Sequence, residues 1–566
     1  MNYRWKFDEG CDEKTIHDLS KELKISQTLA RVLCNRGINS KEEAERFFQP
    51  DLDNLHNPEL MLNMDKAVER ILVAKENNEG VWVHGDYDVD GTTSTSLIVL
   101  FLRELGMRVE YFIPDRFIDG FGLSIKSVDL ALQHRCKLFI SVDVGITALK
   151  PLEHAKNIGI DTIICDHHQP GEESPEVYAL LDPIQENCNY PFKDLAACGV
   201  VFKLIHAVFN KLGTPKKAFK YLDFVALASA ADMVPLLDEN RIMVHYGLKK
   251  INDNPRPGFK GLIHCTKLDP GSITAVNSVY ALAPIINAAG RMGAAMRSVE
   301  MMTNDDEIAA FQIAQQLEDE NRKRRVFDAH TFEEAIPMAE EEIRKGRKVL
   351  VLHKPDWHVG VIGIVASRLV DKFNLPTFLL TSIDRMGKGS ARSANGFDVH
   401  NALRSCSHLL DEYGGHTHAA GMTIKEEYIP EMREIIDGIA RNIISNEMLV
   451  PELSIDAELK LNELSPKFLK TLSKFAPHGY ANPKPMFISR GVTSANGVKI
   501  IGQNNLKFRA FQMNFVIDAI GYGLADKIKI VTSGRPFDIV YNLEINSHYL
   551  NNYPQLYIKD IKQSEN

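Results

Sequence analysis

Between Gly80 and Pro183 short apolar, β-branched runs alternate with helically patterned stretches. VWVH (81–84), RVEYFIP (108–114), KLFISVDVG (137–145), DTIIC (161–165) and YALLDP (178–183) read as strands. TSTSLIVLFLRELG (93–106), SVDLALQHR (127–135) and ALKPLEHAKNIG (148–159) read as the helices between them. Such alternation predicts βαβ units and a largely parallel sheet. Helical patterns continue over 194–213 and 217–232. Residues 1–55 form a small helical preface, with apolar positions spaced helically from Ile16 to Phe48 and Pro50 as a stop. NPRPG at 254–258 is a break, and a long helical region over about 305–347 reads as a connector that Pro337 should kink. A second α/β unit begins at KVLVLHK (348–354) and ends in a Gly-rich stretch, GGHTHAAGMTI (414–424). Beyond Pro451 the runs SIDAELKL, PMFISRGV, KFRAFQMNFVIDAIGY, FDIVYNLEI and QLYIKDI are bounded by Gly, Asn and Pro. Five or six such strands fit a small barrel of the OB type. The predicted fold is therefore α/β: a helical segment at 1–55, a parallel-sheet domain at 56–300, a connector helix at 301–346, a second α/β domain at 347–448 and a C-terminal β-barrel at 449–566.

Composition narrows the class of protein. At 566 residues the chain is too long for one core, and 44% hydrophobic with 25% charged residues is ordinary for a globular protein. No apolar run approaches the ~20 residues that span a bilayer. The opening MNYRWKFDEGCDEK lacks the basic-then-apolar profile of an export signal, so the expected location is cytoplasmic, with no membrane partner. The 8 cysteines are scattered without a C-x-x-C pair, and reduced core thiols are expected. A net charge of −9 argues against diffuse nucleic-acid binding over the whole surface and leaves room for a local basic groove. Lys216-Lys217, Lys249-Lys250 and Arg322-Lys-Arg-Arg325 each read, alone, as a solvated face.

The chemistry sits where strands end. His84-Gly-Asp86-Tyr-Asp88-Val-Asp90-Gly91, Asp143, and Asp166-His167-His168 each follow an apolar run, and strands of a parallel sheet deliver such residues to one rim. Carboxylates suit Mg²⁺ or Mn²⁺, and added imidazoles tilt the choice towards Mn²⁺. Helix capping by Asp would explain one acidic residue here, hardly three and a His. Of two consecutive His, one can ligate metal while the other faces the substrate as acid or phosphate donor. Asp143 and Asp232, the latter in ASAADMVP, gain weight only together with the rest.

These segments (HGDYDVDG, VDVG, DHH and ADMVP) resemble the motifs of the DHH phosphoesterase superfamily. RFIDGFGLS (116–124), APIINAAGRMG (283–293), WHVGVIGIVASRL (357–369), GKGSARS (387–393), GGHTHAAG (414–421) and FAPHGYANPKP (475–485) narrow the resemblance to its RecJ family of single-strand-specific 5′→3′ exonucleases. The resemblance implies that 56–300 is the catalytic domain, 347–448 the DHH-associated substrate-binding domain and 449–566 an OB-fold that binds DNA. It further implies two Mn²⁺ or Mg²⁺ ions. His84, Asp88 and Asp143 would hold one; Asp90, Asp143, His167 and Asp232 the other, with Asp143 bridging. His168 would contact the scissile phosphate and assist the leaving group, while Asp86 and Asp166 would support the ligands. Arg116, Phe121, Arg291, Ser390, Arg392, Ser393, Gly415 and His416 fall at substrate-binding positions, and His418 reads as structural. Phe121 stands where the family often has Tyr, and Asp119 where Glu is common. Near the C-terminus the expected aromatic is Tyr549 or Tyr553. The implied partners are single-stranded DNA, a single-strand-binding protein and a helicase, and the implied state is a monomer.

Overall fold

The computed structural model describes residues 3–8, 10–115, 118–120, 122–293, 295–545 and 554–564. Its first sheet has five parallel strands in the order Val109–Phe112, Gly80–Gly85, Cys136–Val142, Asp161–Cys165, Ala179–Leu181. Alternate residues feed two cores. Val81, Val83, Leu138, Ile140, Val142 and Ile163 pack on one face, and Trp82, Phe139 and Ile164 on the other. A sheet covered on both faces needs apolar side chains at successive positions, which is why these strands read as unbroken hydrophobic runs.

The expected connector is one helix, Glu307–Arg344, which continues through Pro337. Its 38 residues span roughly 57 Å at the α-helical rise. Beyond it lies a mixed sheet ordered Leu410–Gly415, Ala419–Lys425, Met386–Arg392, Thr377–Ile383, Leu350–His353, in which only the last pairing is parallel. The C-terminal strands form a closed barrel. Met486–Ser494, Phe537–Ile545, Pro554–Gln563, Phe515–Gly521 and Asn505–Gln512 pair in that order, and the last pairs back onto the first. Tyr549 and Tyr553 lie outside the described residues.

Three findings were not expected from the sequence. First, the preface is built into the barrel: Leu29, Val32, Leu33, Ala44 and Phe47 share one core with Phe468, Phe475, Phe487 and Tyr541. Arg4–Phe7 also pairs in parallel with Glu452–Ile455. Second, the sulfurs of Cys11 and Cys34 face each other within that preface, a proximity the scattered spacing did not indicate. Sequence spacing does not reveal the helix packing that brings their Cα atoms to 5.7 Å. The other six are free thiols, five of them buried. Third, Arg241, on the helix Asp238–Asp253 of the first domain, inserts into the FAPHGYANP segment. Its guanidinium donates to the carbonyls of Phe47 (3.0 Å), Lys474 (2.9 Å), Phe475 (3.1 Å) and Ala476 (2.7 Å), and its Cζ lies 3.7 Å from the centre of the Phe47 ring. Burial, and to a lesser degree Arg36, push its pKa down to about 9.

Arg241→Ala should therefore leave several buried carbonyls unpaired and cost about 3 kcal/mol or more. The denaturant midpoint of the full chain is the measure, and Arg241→Lys should recover only part, lacking the planar fork. An unchanged midpoint in Arg241→Ala would remove the anchoring role.

Candidate metal centre

The first-sheet strands end at one rim, and four of them hand over an acidic residue there: Asp86 after Gly80–Gly85, Asp143 after Cys136–Val142, Asp166 after Asp161–Cys165 and Asp182 after Ala179–Leu181. Local structure fixes each part of the site. Asp88 caps the helix Val89–Glu104, its side chain accepting from the Gly91 amide at 3.1 Å. Gly91 is required because a Cβ there would lie 2.4 Å from the Asp86 carbonyl oxygen. Asp90 reaches across to the start of the helix Ala197–Lys211 and accepts from the amides of Ala197 (2.7 Å) and Cys198 (2.9 Å). Asp143 sits in the left-handed region, φ 63°, where the chain leaves its strand. Asp232 ends the helix Leu222–Ala231.

Asp166 is taken up by bonds of its own. One oxygen accepts from the amides of His167 (2.8 Å) and His168 (3.2 Å) and from His168 Nδ1 (2.8 Å); the other accepts from the Ile146 amide (3.1 Å). His167 Nε2 then lies 3.3 Å from Asp143, 3.7 Å from Asp90 and 3.7 Å from Asp232. Three overlapping groups bring possible ligand atoms within 4.8 Å of one another: Asp86, Asp88 and Asp143; Asp90, His167 and Asp232; Asp143, His167 and His168. Asp86 stands in the first group where the family resemblance implies His84.

His84 lies on the Trp82 face of its strand, between Phe112 and Phe139. Its Nδ1 is 2.7 Å from Ser127 Oγ, while its Nε2 is buried and has no hydrogen-bond partner among the described residues. Burial holds its pKa down to about 4, so the ring is neutral, the form that ligates metal.

Electrostatics bear on whether metals fit. Burial first, then Asp90, Asp88, Asp86 and Asp232, push Asp143 well above the carboxylate range. Burial and Asp88 raise Asp86 to about 7, and burial with Asp90 and Asp88 raises Asp232 to about 8. Asp90 is raised by burial too. Asp166 goes the other way: burial pushes it up, but its bonds to His168 and to the amides outweigh this and leave it low. The same bond lifts His168 to about 9 against the effect of burial. A cluster of like charges is uncomfortable as it stands. Divalent cations would relieve it, so the carboxylates and His167 fit them.

The predicted anion contacts lie on the second domain and the helix facing it. Arg291, near the end of the helix Ala283–Met292, donates to the Gly360 carbonyl at 3.2 Å. Arg392 donates to Ser390 Oγ at 2.9 Å. Arg392 and Ser390 face the first turn of the helix Ile362–Phe373, where a Cβ on Gly363 would lie 2.9 Å from the Arg392 guanidinium and 3.0 Å from the Ser390 hydroxyl. A guanidinium, a hydroxyl and a helix start converge there, which is chemistry suited to phosphate. Ser393 instead donates to the Phe397 carbonyl at 2.6 Å. Gly415 and His416 are exposed on the hairpin between Leu410–Gly415 and Ala419–Lys425. Arg116 and Phe121 lie outside the described residues. Two supports escaped the sequence reading. Ser127 orients His84, and Asn287 accepts from the Val89 amide at 3.1 Å. Asn287 lies inside the NAAGR motif, where sequence reasoning points only to the Arg.

Comparison with known proteins places these features. Residues 80–229 match the DHH family, N-terminal domain; 346–442 match the DHHA1 domain; 455–560 match the RecJ OB domain. The single-stranded-DNA-specific exonuclease RecJ of Bacillus subtilis (strain 168) is 34% identical over 566 residues, covering 99% of this chain and 71% of the relative. The Escherichia coli (strain K12) protein of that name is 31% identical, covering 96% and 97%. The crystal structure of RecJ in complex with Mn²⁺ from Thermus thermophilus superposes with a TM-score of 0.85 at 27% identity, covering 100% of this chain and 80% of that one.

If the raised carboxyls take up metal, the ions must displace protons from them. Below a raised pKa the folded state binds the proton more tightly than the unfolded chain does, so Asp86 and Asp232 favour the metal-free fold at low pH and lose that contribution as pH climbs through about 7 and 8. Mn²⁺ added to chelator-treated protein should thus raise the melting temperature more near pH 8 than near pH 6, read by calorimetry. An equal gain at both would contradict the shared-proton picture.

Proposed function

The chain belongs to the RecJ family of single-stranded-DNA-specific exonucleases, and from that premise we propose that it removes 5′-mononucleotides stepwise from the 5′ end of single-stranded DNA by metal-dependent phosphodiester hydrolysis. The observation that carries this reading is the gathering of three overlapping carboxylate and imidazole groups around the buried residue Asp143. Two Mn²⁺ or Mg²⁺ ions, when bound, would supply the Lewis acidity that activates a water and offsets charge on the phosphate. Asp88, Asp143 and His84, joined by Asp86, would hold one; Asp90, Asp143, His167 and Asp232 the other.

The remaining steps fall to the protein's own groups. Arg392 and Ser390 bind the terminal 5′-phosphate, and Arg291 steadies the strand beside them, with Ser393, Gly415, His416, Arg116 and Phe121 completing the pocket. Water oxygen bonds to the phosphorus and the bond from phosphorus to the 3′ oxygen of the departing nucleotide breaks. His168, kept protonated by Asp166, gives its proton to that oxygen. In this reading residues 56–300 carry the reaction, 347–448 hold the 5′ end and 449–566 bind the strand beyond the cut. The substrate is single-stranded DNA; a single-strand-binding protein and a helicase are the proposed protein partners of a cytoplasmic monomer acting in repair and recombination. No helix among the described residues is long and apolar enough to cross a membrane.

Digestion of a strand labelled at either end, with Mn²⁺ and with Mg²⁺, checks polarity and product together. Early release of the 5′ label as a mononucleotide is expected; early release of the 3′ label would reverse the assignment. Asp143→Ala should abolish cleavage while strand binding persists. Asp166→Asn should slow cleavage about 10–100-fold by freeing His168, and an unaltered rate would deny Asp166 that role.

A further inference from the structure

The segment WHVGVIGIVASRL (357–369) carries a histidine, His358, that has no task in the mechanism above. It begins the turn 358–361, just ahead of the helix Ile362–Phe373. The residues before it are fastened within their own domain, where the Thr381 hydroxyl donates to the carbonyls of Pro355 (3.0 Å) and Trp357 (2.7 Å). The turn itself meets two other elements. His358 stacks on Phe327 of the connector, with ring centres 4.9 Å apart and planes 18° from parallel. Gly360 presses on the end of the helix Ala283–Met292, where a Cβ would lie 2.7 Å from the Arg291 carbonyl oxygen. Only glycine permits that approach.

His358 holds both peptide groups of Gly360. Its Nδ1 accepts from the Gly360 amide at 3.1 Å, and its carbonyl accepts from the Val361 amide at 3.0 Å. The N–H and C=O of a trans peptide point in opposite directions, so the second bond turns the Gly360 carbonyl away from His358. That carbonyl is the one that accepts from Arg291 at 3.2 Å. Accepting at Nδ1 requires a neutral ring with its proton on Nε2. Burial lowers the pKa of His358, in the same sense. Capping of the nearby helix would explain the two local bonds. It explains neither the stack on the connector nor the glycine pressed against Arg291.

We propose that His358 is a positioning residue: steadied by Phe327, it aims the Gly360 carbonyl at the Arg291 guanidinium and so sets the direction of the donors that Arg291 keeps for the strand. One N–H of the planar fork is spent on Gly360 and the others remain. This rests on the strand contact proposed above for Arg291, through which alone His358 reaches the substrate.

Steady-state cleavage of a long single strand by the full chain with Mn²⁺ tests the role. His358→Ala should raise KM about tenfold, the worth of one hydrogen bond to a charged group, with kcat within about twofold of wild type. His358→Asn, whose amide oxygen can stand in for Nδ1, should recover most of that loss. His358→Phe, which keeps the ring and loses the acceptor, should not. Phe327→Leu, at a position 42% exposed, should raise KM about threefold with the melting temperature unchanged. Arg291→Ala combined with His358→Ala should be no worse than Arg291→Ala alone, because the two act in series. A wild-type KM in His358→Ala, additive losses in the double variant, or a Phe variant as good as the Asn one would overturn the role. An Arg291→Ala variant with unchanged KM, or a wild type that leaves single strands whole, would sink the functional reading first and this inference with it.

Discussion

Repulsion between carboxylates gathered in a buried place is the constraint that the rest of this chain answers to. Asp86, Asp88, Asp90, Asp143 and Asp232 would separate if the chain were free to let them, so the fold must hold them from behind. It does so by giving several of them a second task. Asp88 caps its own helix, Asp90 caps another, and Asp143 is set by a left-handed turn at the end of a central strand. Helix amides facing Asp90 supply the partial positive charge that makes its burial tolerable. The carboxylates are thus held in place by bonds that also build the surrounding helices.

The same logic of anchoring recurs at larger scale. The connector sets the second α/β domain apart from the first, while Arg291 to Gly360 ties the two at the site. On the other side Arg241 plugs into backbone carbonyls of the segment that leads to the barrel, and the helical preface completes the barrel core. The start and the end of the chain are therefore one packing unit. That arrangement fixes Tyr480 in the wall of a cavity of about 510 Å³ that Met233, next in sequence to Asp232, also lines.

Much of this was legible in the sequence because local patterns carried it. Unbroken apolar runs gave the five parallel strands, and their ends gave the rim where Asp143 and Asp166 stand. The barrel announced itself through short strands between Gly and Asn. What escaped depended on contacts between distant segments. Nothing near Cys11 or Phe47 signals that they pack with Cys34 or with Phe475, since helices of a small preface look alike whether solvated or covered. His84 and Asp86 were hard to rank for a related reason. Residues two apart at a strand end can exchange places at a site with a small change of turn, and the Ser127 hydroxyl that orients His84 comes from a helix 43 residues away. Capping by Asp88 and a place in a ligand group also proved compatible, where the sequence had posed them as rivals.

The most direct measurement is anomalous diffraction from crystals grown with Mn²⁺. Two peaks about 3.5–4 Å apart are predicted, the spacing usual for paired ions. One should lie among Asp86, Asp88 and Asp143 and the other among Asp90, His167 and Asp232, with Asp143 touching both. A single peak, or a pair that Asp143 does not join, would contradict the account.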